Sequence, residues 1–345
     1  MPDGRAYDAM LSMPARPPIA IAVLFGGGSV TDRHWTVPAI VEIDGRVIAM
    51  TIEGEDTRDA DDIARALVAR DIAVFRFSSI HRDDPMAAVN PGMALGIPYP
   101  EARAIACAAL AEAESIPDLA RLPVFCIGHS LGAARALQCA ADDGRIAGFV
   151  FLAGAYLTNP RDNPSRVEQA LVEELRPLGV DLDAGVSISD WTAAMPRFPD
   201  RLRAIPADEC DLDRDGVIRR WEAAATVHLA MIDAGDPSFR HARTELAGGP
   251  LPSELVLAIR RPTLAVFGGL DPMSYHGPML ARAAAETGDS SWLTVEYWPS
   301  LGHNLGREVP RTDDHAALAG PVLTGPIDPR VCHRIADFVA EVARR

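Results

Sequence analysis

Between Ile19 and Leu152 short apolar runs alternate with longer segments of helical spacing, and the same rhythm returns after Thr263. The runs are Ile19–Phe25 (IAIAVLF), Ile72–Phe77 (IAVFRF), Val124–Ile127, Gly148–Leu152 (GFVFL), Thr263–Phe267 (TLAVF) and Trp292–Tyr297. The helical segments are Ala60–Arg70, Pro100–Ser115, Leu131–Ala141, Met279–Glu286 and Pro329–Arg344. A strand that is apolar at successive positions must be covered on both faces, and helices between strands supply that cover through βαβ crossovers. The chain therefore reads as an α/β protein with a mostly parallel sheet and helices on both faces.

Two segments break the rhythm. Val41–Ile52 (VEIDGRVIAMTI) places Asp44-Gly45 between apolar-rich arms and predicts a hairpin inserted into the first crossover. From about Thr158 to Gly249 the chain is rich in Pro, Asp and Arg and carries no apolar run of strand type. A length of 345 residues fits one large α/β domain carrying such an insertion. The expected division is a core over 1–157, a largely helical cap over 158–250, and the rest of the core over 251–345.

Composition removes several classes of function. Lys and Arg number 33 against 48 Asp and Glu, for a formal net charge of −15, which disfavours nucleic acid or an anionic membrane as partner. The opening residues MPDGRAYDAMLSMPARPP lack a basic and then apolar leader, so a cytoplasmic location is expected. Five cysteines are scattered without a C-x-x-C pair, and Cys107, Cys126 and Cys139 sit in apolar settings that predict buried thiols.

The chemistry is concentrated at Gly128-His129-Ser130-Leu131-Gly132, which follows the strand Val124–Ile127 and opens the helix AARALQCA. This is G-x-S-x-G in a strand–turn–helix setting, where a serine is exposed on a strained turn and glycines allow strand and helix to pass closely. A carboxylate and a histidine should follow in that order. Asp271 comes directly after the strand Thr263–Phe267 in Gly268-Gly269-Leu270-Asp271-Pro272, and His303 follows Trp292–Tyr297 in Ser300-Leu301-Gly302-His303-Asn304. Parallel sheets build sites at the C-terminal ends of their strands, where these three loops converge. Asp162 is a second acid candidate, and His129 reads as a residue that packs or orients the turn. In the expected roles, His303 takes the Ser130 proton, Asp271 holds its imidazole, and backbone N–H groups of Leu131 and of Gly27 or Gly28 receive the oxyanion.

On these residues the chain resembles the α/β-hydrolase superfamily over Ile19–Leu157 and Ile259–Arg345. The glycine loop Leu24–Arg33 (LFGGGSVTDR) and the segment Ala64–Phe77 (ARALVARDIAVFRF) are similar to those of bacterial serine esterases and dienelactone-hydrolase-like proteins. Gly26 stands where those relatives carry a histidine, and Ser78–Asp83 replaces their basic, glycine-containing loop. The resemblance implies the α/β-hydrolase fold and hydrolysis of a small-molecule ester or thioester through an acyl-enzyme on Ser130, with no cofactor for catalysis. Acyl transfer or C–C bond cleavage on the same triad is the alternative chemistry. A Ca²⁺-regulated ligand-binding protein is the alternative class.

A second constellation lies in the insertion. Asp211-Leu212-Asp213-Arg214-Asp215-Gly216-Val217-Ile218-Arg219-Arg220-Trp221-Glu222 matches the EF-hand calcium loop pattern D-x-[DN]-x-[DN]-G-x₅-E. Asp211, Asp213, Asp215, the Val217 carbonyl and a bidentate Glu222 would form the shell of a structural Ca²⁺. Arg219–Asp233 has the composition of the exiting helix. Arg219 brings a positive charge near the ion and should weaken its binding.

Overall fold

The computed structural model describes residues 7–27, 31–43, 45–81, 99–140, 143–154, 157, 171, 174–182, 184–203, 206–211, 216–218, 223, 252–271, 276–310 and 322–345. Its centre is a seven-stranded sheet of β1 (Tyr7–Ser12), β2 (Ala20–Phe25), β3 (Ile72–His81), β4 (Val124–His129), β5 (Ile146–Leu152), β6 (Thr263–Gly268) and β7 (Leu293–Trp298). The spatial order is β1-β3-β2-β4-β5-β6-β7, and every neighbouring pair is parallel except β1 with β3.

Every residue of β2 is buried, and its alternation separates two cores. Ile21, Val23 and Phe25 face one side, against α2 (Tyr99–Ser115), α3 (Leu131–Ala140), α4 (Pro252–Ile259) and α5 (His276–Glu286). Ala20, Ala22 and Leu24 face the other, against α1 (Asp59–Val68) and α6 (Pro329–Ala343). The two-sided apolar reading of the strands is thus met by helices on both faces. Asp328 caps α6 by accepting from the Arg330 N–H, and Pro329 occupies the first turn, where no N–H is required.

Two features escape the sequence reading. The edge strand β1 precedes the first expected one, and an antiparallel pair, Gly306–Pro310 with Val322–Ile327, follows the histidine loop. β1 (YDAMLS) mixes polar and apolar residues without a clean period of two, and the later pair is broken by Gly and Pro.

In the 158–250 segment a third core joins residues from Leu171 to Ala223 around Trp191, whose ring meets Phe198 edge-on at 5.0 Å. Short helices Ile188–Ala194, Asp200–Arg203 and Ala207–Cys210 accompany a two-residue antiparallel ladder, Val186–Ser187 with Val217–Ile218. The helix expected over Arg219–Asp233 lies outside the described residues apart from Ala223.

The cysteine reading needs correction. Cys107 and Cys139 are joined in a disulfide, with Cα atoms 5.0 Å apart. They lie on adjacent helices α2 and α3, so their separation of 32 residues hid the contact. Cys126 is a buried free thiol, as expected.

Candidate active site

β4 ends at His129 and α3 starts at Leu131, which leaves Ser130 alone at the turn with φ +50°. A left-handed backbone at a non-glycine residue is strained and must be held by its surroundings. Here the Ser130 N–H donates to the Leu152 carbonyl (2.9 Å), and the Ser130 carbonyl accepts from the Ala133 N–H (3.1 Å). A Cβ on Gly132 would strike the carbonyl oxygens of Phe25 and Gly26, and one on Gly128 would press into the backbone at Ala133. Both glycines of the motif are therefore steric requirements. Leu131, as the first residue of α3, has an N–H with no partner inside the helix.

The glycine loop packs directly on this elbow. A Cβ on Gly27 would lie 2.8 Å from His129 Nδ1 and 3.1 Å from Ser130 Cβ. The loop is anchored by Arg135 Nη2, which donates to the Gly26 carbonyl (3.1 Å), and by Thr31 Oγ1, which donates to the Gly27 carbonyl. Gly28 lies outside the described residues.

Asp271 follows β6 and is completely buried. The loop that carries it is stitched to the next one, since the N–H groups of Gly269 and Leu270 donate to the carbonyls of Trp298 (2.8 Å) and Leu301 (3.0 Å). His303 sits in that second loop, with Nδ1 3.0 Å from Asp271 Oδ1 and about a third of its side chain exposed. A carboxylate can only accept, so Nδ1 carries the proton and Nε2 presents its lone pair. Burial pushes the imidazole pKa down, but the charge and hydrogen bond of Asp271, with Glu308 behind, outweigh it and hold His303 above its ordinary value.

Ser130 and His303 line one cleft of about 370 Å³, together with Trp35, Val37, Leu152, Leu305 and Ile327 on its apolar side and Thr31, Thr36 and Asp59 among its polar groups. The structure thus brings Ser130, Asp271 and His303 to the C-terminal ends of three parallel strands. Asp162 lies outside the described residues.

Three contributors were missed or underread. Glu308, five residues past His303, accepts the His303 N–H (3.0 Å). His129, read only as an orienting residue, has Nε2 3.0 Å from the His303 carbonyl. Burial, with a smaller push from His303, lowers the His129 pKa to about 4, so the ring is neutral near pH 7 and donates through Nε2.

Asp59 is the third. Its side chain is buried, and Oδ1 accepts from the Ile327 N–H (3.0 Å). Burial raises its pKa to about 7. An acid whose pKa is raised on folding stabilises the native state at low pH and loses that contribution as pH rises through the folded value. Asp59→Asn keeps the acceptor and removes the ionisation, so it should raise the thermal midpoint at pH 8. The gain would be up to about 4 kcal/mol at one pKa unit per 1.36 kcal/mol, narrowing as pH falls from 8 toward 4. Melting curves of both proteins across that range check this; a gap independent of pH contradicts it.

In the insertion, Gly216 has φ +84° and its N–H donates to Asp211 Oδ2 (2.9 Å), the sharp turn that position six of a calcium loop requires. Val217 lies next to it in the short ladder with Ser187. Asp213, Asp215 and Glu222 lie outside the described residues.

No protein-family model matches the sequence, and a search of curated proteins finds no match. Among solved structures the chain is similar to brefeldin A esterase, a bacterial homologue of human hormone-sensitive lipase. That match has 18% identity and a TM-score of 0.51, covering 99% of this chain and 74% of the other. It is also similar to a lipase in its open form (14%, TM-score 0.47, 99% and 96% covered) and to a thermostable carboxyl esterase from Bacillus coagulans (13%, TM-score 0.46, 99% and 95% covered). The sheet, its flanking helices and the first of these likenesses define the α/β-hydrolase fold. Among the described residues no helix is long and apolar enough to cross a membrane.

Proposed function

We propose that the protein is a serine hydrolase of small carboxylic esters, acting through an acyl-enzyme on Ser130. The observation that carries this reading is the hydrogen bond from His303 Nδ1 to the buried Asp271, made beside a cleft that also holds the strained Ser130. In the first half-reaction His303 Nε2 takes the Ser130 proton as Oγ attacks the ester carbonyl. Asp271 stabilises the imidazolium without accepting a proton. The oxyanion is received by the Leu131 N–H and by the glycine loop at Gly27 or Gly28, each donor contributing about 3 kcal/mol. His303 then gives the proton to the leaving alcohol. In the second half-reaction water attacks the acyl-enzyme as His303 takes its proton, and His303 returns that proton to Ser130 Oγ as the acyl–Oγ bond breaks and the acid leaves.

The cleft volume and its Trp35–Val37–Leu152–Leu305 wall favour a compact apolar acyl or alcohol group. A panel of acyl chain lengths on p-nitrophenyl and coenzyme A leaving groups tests the reading. Turnover of short p-nitrophenyl esters is expected, and no turnover of any member would reject it. Hydrolysis as opposed to acyl transfer would show as free acid, not a transferred ester, in the presence of an acceptor alcohol.

The insertion over 158–250 is proposed to act as a cap braced by Ca²⁺. Asp211, Asp213, Asp215, the Val217 carbonyl and Glu222 would hold the ion, and the turn at Gly216 fits that shell. Four carboxylates at this spacing repel one another without a cation. At a hundredfold excess over Kd, Ca²⁺ should stabilise the native state by about 2.7 kcal/mol, so it raises the thermal midpoint and EGTA lowers it. If wild type and Asp213→Ala melt identically with Ca²⁺ and with EGTA, the loop is a plain acidic turn.

A further inference from the structure

We propose that Glu308 and His129 are positioning residues that grip the main chain of His303 from its two ends and thereby set where the imidazole stands relative to Ser130. The inference rests on the serine-hydrolase reading above and extends it to two residues outside the triad.

His303 lies beyond the end of β7, so no sheet ladder holds its peptide groups. The turn around it is closed by the Gly302 N–H, which donates to the Gly306 carbonyl (2.9 Å), and by the Leu305 N–H, which donates to the Gly302 carbonyl (3.0 Å). The two main-chain groups of His303 itself are taken by side chains. Its N–H donates to Glu308 Oε1 and its carbonyl accepts from His129 Nε2, both at 3.0 Å.

Both partners are themselves anchored. Glu308 stands on the strand Gly306–Pro310, paired with Thr324 across the short antiparallel ladder. Its carboxyl lies directly over Gly302, and a Cβ at that position would displace it. His129 is the last residue of β4, immediately before Ser130, and its ring lies 5.0 Å from that of His303. One hydrogen bond therefore links the strand that carries the nucleophile to the backbone of the base. A shift of about an ångström between such groups can cost a hundredfold in rate, so a direct link of this kind bears on kcat more than on binding.

The two ends differ in charge. Asp271, Glu308 and His129 are the titratable groups in contact with His303 among the described residues, and Asp59 lines the same cleft. Asp271 takes Nδ1, His129 is neutral, and Glu308 adds a second negative charge that favours the imidazolium. Glu308→Gln keeps an oxygen to accept the His303 N–H and removes the charge, whereas Glu308→Ala removes both. His129→Gln keeps a donor at the Nε2 position, whereas His129→Leu removes it.

The test uses the full chain with p-nitrophenyl acetate, alongside NMR titration of the His303 ring. Glu308→Ala and His129→Leu should lose about 10- to 100-fold in kcat with KM little changed, and the two Gln variants should recover most of that loss. Glu308→Gln should also move the acid limb of kcat/KM, and the His303 titration, to lower pH, while His129→Gln leaves the acid limb near its wild-type position. Wild-type kcat in both Glu308→Ala and His129→Leu overturns the proposal. So does a Glu308→Gln variant as impaired as Glu308→Ala with an unmoved His303 titration, since that pattern marks bulk packing. If wild type hydrolyses no ester yet Glu308→Gln still lowers the His303 titration, the functional reading fails while the contact with His303 stands.

Discussion

Ser130→Ala is expected to lower kcat for a short p-nitrophenyl ester by about ten-thousandfold or more while leaving the thermal midpoint nearly unchanged. The fold explains both halves. Ser130 Oγ is the only atom removed, and neither the Leu152 nor the Ala133 hydrogen bond at this turn involves the side chain. Alanine also accepts the strain at φ +50° no worse than serine does. Without Oγ there is no acyl-enzyme, and only the oxyanion donors and substrate binding remain to accelerate water attack. Triad members act as one unit, so the loss should match that of removing His303 and should not add to it. Measuring kcat for Ser130→Ala, His303→Ala and the double variant checks this. Additive losses would mean that the two side chains act in separate steps.

Asp271→Asn should cost about 10⁴-fold in kcat with KM changed far less. Asp271 is completely buried and its Oδ1 fixes the proton on His303 Nδ1. An Asn amide presents an N–H₂ to that nitrogen at least as readily as its oxygen. The ring would then hold its proton on Nε2, facing Ser130, and could not act as a base. The same substitution removes the main charge that favours the imidazolium, so the residual activity should titrate at lower pH than wild type. Should Asp162→Asn do the greater damage, the acid has been misassigned.

The sheet was legible because β2, β4 and β6 are apolar at successive positions, a pattern that only two-sided burial explains. The placement of Ser130, Asp271 and His303 was legible because each follows the end of a parallel strand, apolar at successive positions in β4 and β6 and alternating in β7, where parallel topology collects them. Glu308 was not. Its strand Gly306–Pro310 pairs with Val322–Ile327 across a separation of more than ten residues, and its carboxyl meets His303 through a main-chain N–H that leaves no mark in residue type. The Cys107–Cys139 bridge was hidden for a related reason, since two helix faces meet there through tertiary packing and no local spacing encodes it. Asp59 was hidden because an acidic residue in the first turn of a helix is ordinarily a solvated complement to the helix dipole, whereas here it is buried against the Ile327 N–H.

The central claim is that Ser130 is an activated nucleophile, and covalent labelling reads this without knowledge of the substrate. Wild-type protein treated with a fluorophosphonate should gain one phosphonyl group by intact mass, located by peptide mapping on Ser130. The rate of labelling should rise with pH as His303 loses its proton, and should collapse in His303→Ala. A phosphonyl group on any other residue, or a wild-type protein that labels no faster than Ser130→Ala, would contradict the account.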